Sequence, residues 1–210
     1  MTTLLLVRHG HTDAAGKRLT GRAPGVHLNE LGRRQAERLV ERLDGVRIDT
    51  IVSSPLERCR ETAAPLAKAR RHTIDVGRAW IEVDYGEWTG RSISQLRRTK
   101  LWRLVMFAPA NARFPGGESL LEVQGRAVAA SLDIAARQAR GTVVVVSHAD
   151  VIKLLVAHLA GMHVDHVQRL SIDTASITAV SISDGFPRVL TVNDTGDLAV
   201  LRSGRGKLGG

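Results

Sequence analysis

The chain has 210 residues, 43% of them hydrophobic, which is enough to bury a full core and predicts one domain. Its formal net charge of +9 favours anionic partners, but the arginines are scattered in ones and twos and aromatics are only 3%, a pattern that argues against nucleic acid. The single cysteine, Cys59, excludes an intrachain disulfide and a zinc site of paired thiolates, and no apolar run of about eighteen residues predicts a membrane span.

The first strand is "TLLLV" (3–7), which stops at Arg8, His9, Gly10 and His11. Its four apolar residues are too few for the h-region of a signal peptide, so a cytoplasmic location is expected. In "NELGRRQAERLVERL" (29–43), Leu31, Ala36, Leu39, Val40 and Leu43 form one stripe of a helix with Asn29 as its N-cap. "TIVS" (50–53) reads as the second strand, and "LERCRETAAPLAKA" (56–69) as the helix after it. Residues 72–118 break the rhythm with Gly86, Gly90, Pro109, Pro115, Gly116 and Gly117 and hold all three tryptophans; they read as an insertion capping one end of the sheet. "SLLEVQGRAVAASLDIAARQA" (119–139) opens with Ser119 and Glu122 at capping-box spacing.

"TVVVVS" (142–147) is the third strand and runs through His148 into the helix "DVIKLLVAHLAG" (150–161). "SITAVSI" (176–182) and "RVLTVN" (188–193) are the last strands, and their edge suits a homodimer. The chain therefore reads as an α/β domain over 1–202, with a mostly parallel central sheet, helices on both faces and a cap insertion. A flexible basic tail is expected over 203–210.

Ligands of open α/β sheets bind beyond the carboxyl ends of the strands. Three such ends here carry charge or imidazole: "VRHG", "SSPLER" and "VSHAD". Arg8, Arg58, His9 and His148 converging on one crevice make a site for a dianion, with guanidinium forks for phosphate oxygens and an imidazole as nucleophile or donor. Phosphoryl transfer also needs an acid to protonate the leaving oxygen, and "WIEVDYGEWTG" offers Glu82, Asp84 and Glu87 without ranking them. His158, His163 and His166, with Asp165, match no zinc spacing, so no metal or other cofactor is expected. Cys59, between Arg58 and Arg60, reads as a small buried hydrophobe.

"LVRHGHT" (6–12) resembles the R-H-G signature of the histidine phosphatase superfamily, in its phosphoglycerate mutase branch. The likeness continues in order through "GRAPGVHLNELGRRQA" (21–36), "SSPLERCRETA" (53–63), "EVDYGEWTG" (82–90), "FPGGESLLEV" (114–123) and "VVSHADVIK" (145–153). This resemblance implies a phosphoglycerate mutase-like fold in which His9 is phosphorylated, Arg8 and Arg58 bind phosphate, and His148 lines the pocket. It also selects Glu82, four residues before Gly86, as proton donor. Thr20 and Gly21 are similar to a substrate-contacting loop, and Tyr85 joins that substrate-binding set. The chain departs from the branch at His11, where Glu is usual, and at Ala15, where many members have Asn; His11 or Thr12 then replaces the missing phosphate ligand.

The implied activity is a metal-independent phosphomonoesterase acting through phosphohistidine on a small phosphorylated metabolite, with no nucleic acid or membrane partner. Two alternatives stand beside it. One is a phosphoglycerate mutase-type transferase, for which Arg97 and Arg98 would hold a substrate carboxylate; the other is a phospho-ligand binder without turnover, which would have no use for Glu82. The length of the chain and its "FPGGESL" block resemble the shorter phosphatase members.

Overall fold

Alternation along the first strand, β1 (Thr2–Arg8), divides the molecule into two cores. Leu4 and Leu6 point to one side of the sheet and Leu5 and Val7 to the other, all at most 8% exposed. Each buried aliphatic side chain contributes about 1.5–3 kcal/mol, so a one-residue slip in register would put two apolar side chains wrongly on each face. The computed structural model describes residues 1–138 and 140–196, so the tail expected over 203–210 lies outside the described residues.

After β1 come α1 (Glu30–Arg42), β2 (Thr50–Ser53), α2 (Glu57–Arg70) and β3 (Ile74–Val76). Two short helices follow, α3 (Ile93–Leu96) and α4 (Lys100–Phe107), and then α5 (Leu120–Arg137), β4 (Gly141–Ser147), α6 (Ala149–Leu159), β5 (Ile177–Ser183) and β6 (Phe186–Asp194). The sheet order is β3-β2-β4-β1-β5-β6. The pairs β3–β2, β2–β4 and β4–β1 are parallel, and β5 and β6 add on antiparallel.

Leu39 and Leu43 at the end of α1, with Cys59, Ala63 and Leu66 of α2, pack on Leu5, Val7, Val144 and Val146. On the other face, Val123 and Ala127 of α5 and the apolar side of α6 pack on Leu4, Leu6, Val143 and Val145. The N-caps form as their residue types require: Asn29 Oδ1 accepts from Gly32 N at 3.0 Å, and Ser119 and Glu122 complete a capping box.

The cap is shorter at its start than the sequence indicates. Ile74–Val76 belongs to the sheet as an edge strand, paired with Ile51–Ser53, and the cap begins after it. Three residues with two of them exposed leave no hydrophobic period to read. Beyond β3 the chain turns through Trp80 and Trp88, both buried; Trp88 lies against Trp102 and Phe114. Among the described residues no helix is long and apolar enough to cross a membrane.

Candidate active site

The carboxyl ends of β2, β4 and β1 lie side by side, with Arg8 paired to Ser147 and Ser53 to Val146. Residues that follow these ends are therefore brought together: His9 after β1, Ser54 and Arg58 after β2, His148 after β4. His9 is 7% exposed, and its main-chain N–H bonds Ser147 O at 2.9 Å. Thr62 Oγ1 steadies the loop by accepting from Gly10 N at 2.9 Å while donating to Arg58 O.

Hydrogen bonding fixes the protonation of His9. Its Nδ1 lies 2.8 Å from the Gly10 carbonyl, which only accepts, so Nδ1 carries the proton. Nε2 is left as the lone pair and receives Arg58 Nε at 3.3 Å. Burial first, then the charges of Arg58 and Arg8, hold His9 well below the usual imidazole range, so it is neutral near pH 7. A neutral imidazole with an unprotonated Nε2 is a nucleophile.

Arg58 is 1% exposed, an extreme for a permanently charged group. Its Nη2 donates to Gly21 O at 2.8 Å and lies 3.3 Å from His148 Nδ1, while Nη1 has no hydrogen-bond partner among the described residues. Arg8 Nη1 donates to Ile172 O at 2.6 Å, and its buried Nε likewise has no partner among the described residues. Two guanidinium N–H groups are thus buried without a protein acceptor beside a nucleophile, and an anion with several oxygens satisfies both.

His148 is completely buried, 5.3 Å from His9 between ring centroids and at a steep angle to it. Because Nδ1 accepts from Arg58, Nε2 carries the proton and donates to Ser54 Oγ at 2.9 Å. Burial, followed by the charge of Arg58, keeps this ring neutral too. Cys59 Sγ lies 3.4 Å from His148 Nε2 at the back of the site, fully buried. Burial pushes its thiol up to about 12, so Cys59 is no nucleophile.

Of the three candidate acids, Glu82 reaches the site. It is 8% exposed, its Oε1 accepts from Val83 N at 2.9 Å, and Oε2 lies 3.7 Å from His148 Nδ1. Burial, then the nearby charge of Asp150, pushes its carboxyl up to about 7. Two arginines clamp its main chain: Arg22 Nε donates to Glu82 O at 2.9 Å and Arg126 Nη2 at 3.2 Å. Asp84 turns away, with one oxygen on Arg22 and the other on Gly86 N. Glu87 bonds through its main chain to Pro115 O.

A cleft opens over these groups, lined by Arg8, His9, Thr12, Thr20, Gly21, Glu82 and Tyr85 among others. Arg58 and His148 lie buried behind this lining, with Arg58 bonded to His9, Gly21 O and His148. Of the substrate-binding set, His11 is not brought in: its Nδ1 accepts from Asn29 Nδ2 at 3.0 Å and its main-chain N–H bonds Gln35, so the N-terminus of α1 holds it away from the cleft lining. Thr12 is in the wall, as is Ala15. Arg97 and Arg98 are exposed just past α3 and are not part of the lining; the cation at the rim is Arg18, which also bonds Gly90 O. His163 Nδ1 caps the turn at Asp165, whose Oδ1 takes Ala110 N, so those polar groups brace the cap.

Three contributors escape the sequence reading. Asp150 and Arg18 line the cleft, and Ser54 anchors His148. Asp150 carries the one signal that was available, a carboxylate two residues after a strand-end histidine.

Comparison with known proteins agrees with this geometry. A family model described as the histidine phosphatase superfamily (branch 1) matches residues 4–195. Phosphoserine phosphatase 1 of Hydrogenobacter thermophilus is 30% identical over 200 residues, covering 93% of both chains. Among solved structures, Bacillus stearothermophilus YhfR superposes with a TM-score of 0.87 at 30% identity, over 93% of this chain and 98% of that one. A phosphoserine phosphatase mutant from Entamoeba histolytica, in complex with phosphoserine, superposes with a TM-score of 0.85 at 25% identity, over 94% and 100%.

Proposed function

The chain belongs to the histidine phosphatase superfamily (branch 1) and is a phosphatase of phosphomonoesters, and we propose that it works without metal, through a phosphohistidine on His9. The observation that carries this reading is the pair of buried guanidinium N–H groups without acceptors, Arg8 Nε and Arg58 Nη1, beside an imidazole whose Nε2 is free of its proton.

In the first step His9 Nε2 attacks phosphorus. The P–N bond forms, the P–O ester bond breaks, and Glu82 gives its proton to the departing alcohol oxygen. Arg8 and Arg58 hold the equatorial oxygens, where charge spreads in a loose transition state. Their two positive charges do the electrostatic work that a divalent cation does in many phosphotransferases. In the second step Glu82, now ionised, takes a proton from water as its oxygen attacks phosphorus. The P–N electrons return to Nε2, and inorganic phosphate leaves.

Thr12, Thr20, Gly21 and Tyr85 frame the substrate's organic part, under a cap that follows β3. The cationic rim of the cleft at Arg18 suits a small phosphorylated metabolite. Such metabolites are made in the cytoplasm, which is where we place the enzyme. β6 is the outer strand of the sheet and offers its edge to a second copy.

The test is release of phosphate from an activated aryl phosphate in EDTA, for wild type and His9→Ala side by side, with acid-quenched protein probed for phosphohistidine. Turnover in the chelator that disappears with His9 is the expected result. Turnover that EDTA abolishes refutes the metal-free mechanism, and turnover surviving in His9→Ala refutes the nucleophile.

A further inference from the structure

Two carboxyl groups line the cleft, Glu82 and Asp150, and the mechanism above uses one. In a shared confined space, the site that better stabilises its own charge sends the proton to the other. Asp150 occupies the second position of α6, an 11-residue helix whose unpaired amide N–H groups favour an anion there. Its Oδ2 also accepts the Tyr85 hydroxyl at 2.7 Å. Tyr85 is held in turn, 5% exposed and edge-on to Phe114 at 4.9 Å. Glu82 has less support for a charge: it is buried, and its hydrogen bond of 2.9 Å is to one main-chain N–H. Building on the phosphatase reading, we propose that Asp150 is a positioning residue that keeps the acidic proton on Glu82 before substrate arrives, with Tyr85 fixing Asp150 in place.

The other charges around Glu82 work against that proton. Arg58 of α2 and Arg8 at the end of β1 favour the ionised form, and Arg126 of α5 and Arg22 both reach its main-chain carbonyl. His9 and His148 are neutral near pH 7 and add no charge. Burial and Asp150, in that order, outweigh the arginines. Removing burial would open the site, whereas removing Asp150 takes away one charge and leaves the walls standing.

The test is the pH dependence of kcat/KM for an alkyl phosphate, whose leaving group needs Glu82 protonated, in wild type, Asp150→Asn and Asp150→Glu. In Asp150→Asn the alkaline limb moves down by about one pH unit, and in Asp150→Glu it stays with wild type. Coincident limbs in wild type and Asp150→Asn overturn the proposal. The same proton is read without turnover from the carbonyl band of the Glu82 carboxylic acid in an infrared titration, assigned with Glu82→Gln. That band is lost at lower pH in Asp150→Asn, and an unmoved band again overturns the proposal. Should Asp150→Asn not fold, Asp150→Ser carries both measurements. A wild type that hydrolyses no phosphomonoester refutes the phosphatase reading, while the infrared titration still decides this one.

Discussion

Replacing Gly117 by alanine tests how the cap holds the acid in place. A Cβ built on Gly117 falls 2.2 Å from Asp84 O and 2.8 Å from Gly86 N, both main-chain atoms that cannot rotate aside. The two segments must separate by about 1 Å to restore ordinary contact distances. Three hydrogen bonds span that seam: Glu118 N to Asp84 O at 2.9 Å, Asp84 N to Glu118 Oε2 at 3.0 Å, and Glu87 N to Pro115 O at 2.9 Å. Losing all three at about 1 kcal/mol each gives a destabilisation of about 3 kcal/mol, or roughly 6–12 °C in Tm for a chain of this size.

Glu82 lies two residues before Asp84, so the same separation moves the acid. Turnover of alkyl phosphates should therefore fall more than turnover of an activated aryl phosphate. Gly125→Ala is the control. It lies within α5, and beyond the helix's own nearby backbone and its chain neighbours no described atom comes within 4 Å of the added Cβ, so alanine there stabilises by about 0.5–1 kcal/mol. Thermal unfolding of both variants, with the alkyl-to-aryl rate ratio, decides the matter. A Gly117→Ala protein with wild-type Tm and rate ratio refutes the claim that this seam carries Glu82.

Glu82→Gln should slow alkyl phosphates by about 10²–10⁴ and a nitrophenyl phosphate by far less, and equal losses in steady-state assays would remove Glu82 as the acid. Arg58→Lys should cost roughly 10²–10³ in kcat/KM, because one ammonium cannot bond Gly21 O and also present the fork that Nη1 offers; calorimetry should find the variant folded. Stability should fall as pH drops below 6.5, since His9 and His148 are held well below that value when folded and the unfolded chain takes up protons that the native state refuses. Glu82 acts with the opposite sign, because its folded carboxyl is raised from 4.5 to about 7 and stability is lost as pH rises through that window. The two effects separate in His9→Gln, whose urea-unfolding free energy between about pH 5 and 6.5 should rise less steeply by up to about 1.4 kcal/mol per pH unit; an unchanged slope would show that His9 is not held neutral.

β1, β2 and β4 were legible as strands because strands buried on both faces become continuous apolar runs ending where the site begins. Of the four long helices, α1 showed in its apolar stripe and N-cap, α5 in its capping box, and α2 and α6 in their position directly after strands. β3 did not, since an exposed three-residue edge strand has no pattern, and neither did α3 and α4, whose few turns sit within Gly- and Pro-punctuated sequence. At the site, Arg8, His9, Arg58 and His148 could be found because each follows a strand end. His11 was misplaced, since the side chain of Asn29, eighteen residues away, decides where it goes. Arg18 enters through a contact between distant segments, which no local sequence pattern announces, whereas Asp150 stands two residues past a strand-end histidine and was within reach of the same reasoning.

Cys59 turns the back wall of the cleft into a clock. It is the chain's single thiol, fully buried against His148 and Ser147 O, and at neutral pH it is almost wholly protonated. An alkylating reagent therefore modifies the native protein no faster than the wall between α2 and β4 parts. One covalent mark per molecule, timed by mass spectrometry, counts those openings. An oxyanion spanning Arg8 of β1 and Arg58 of α2 ties α2 to the sheet, so labelling should slow when vanadate occupies the cleft, and the rate becomes a reporter of site closure needing neither a fluorophore nor turnover.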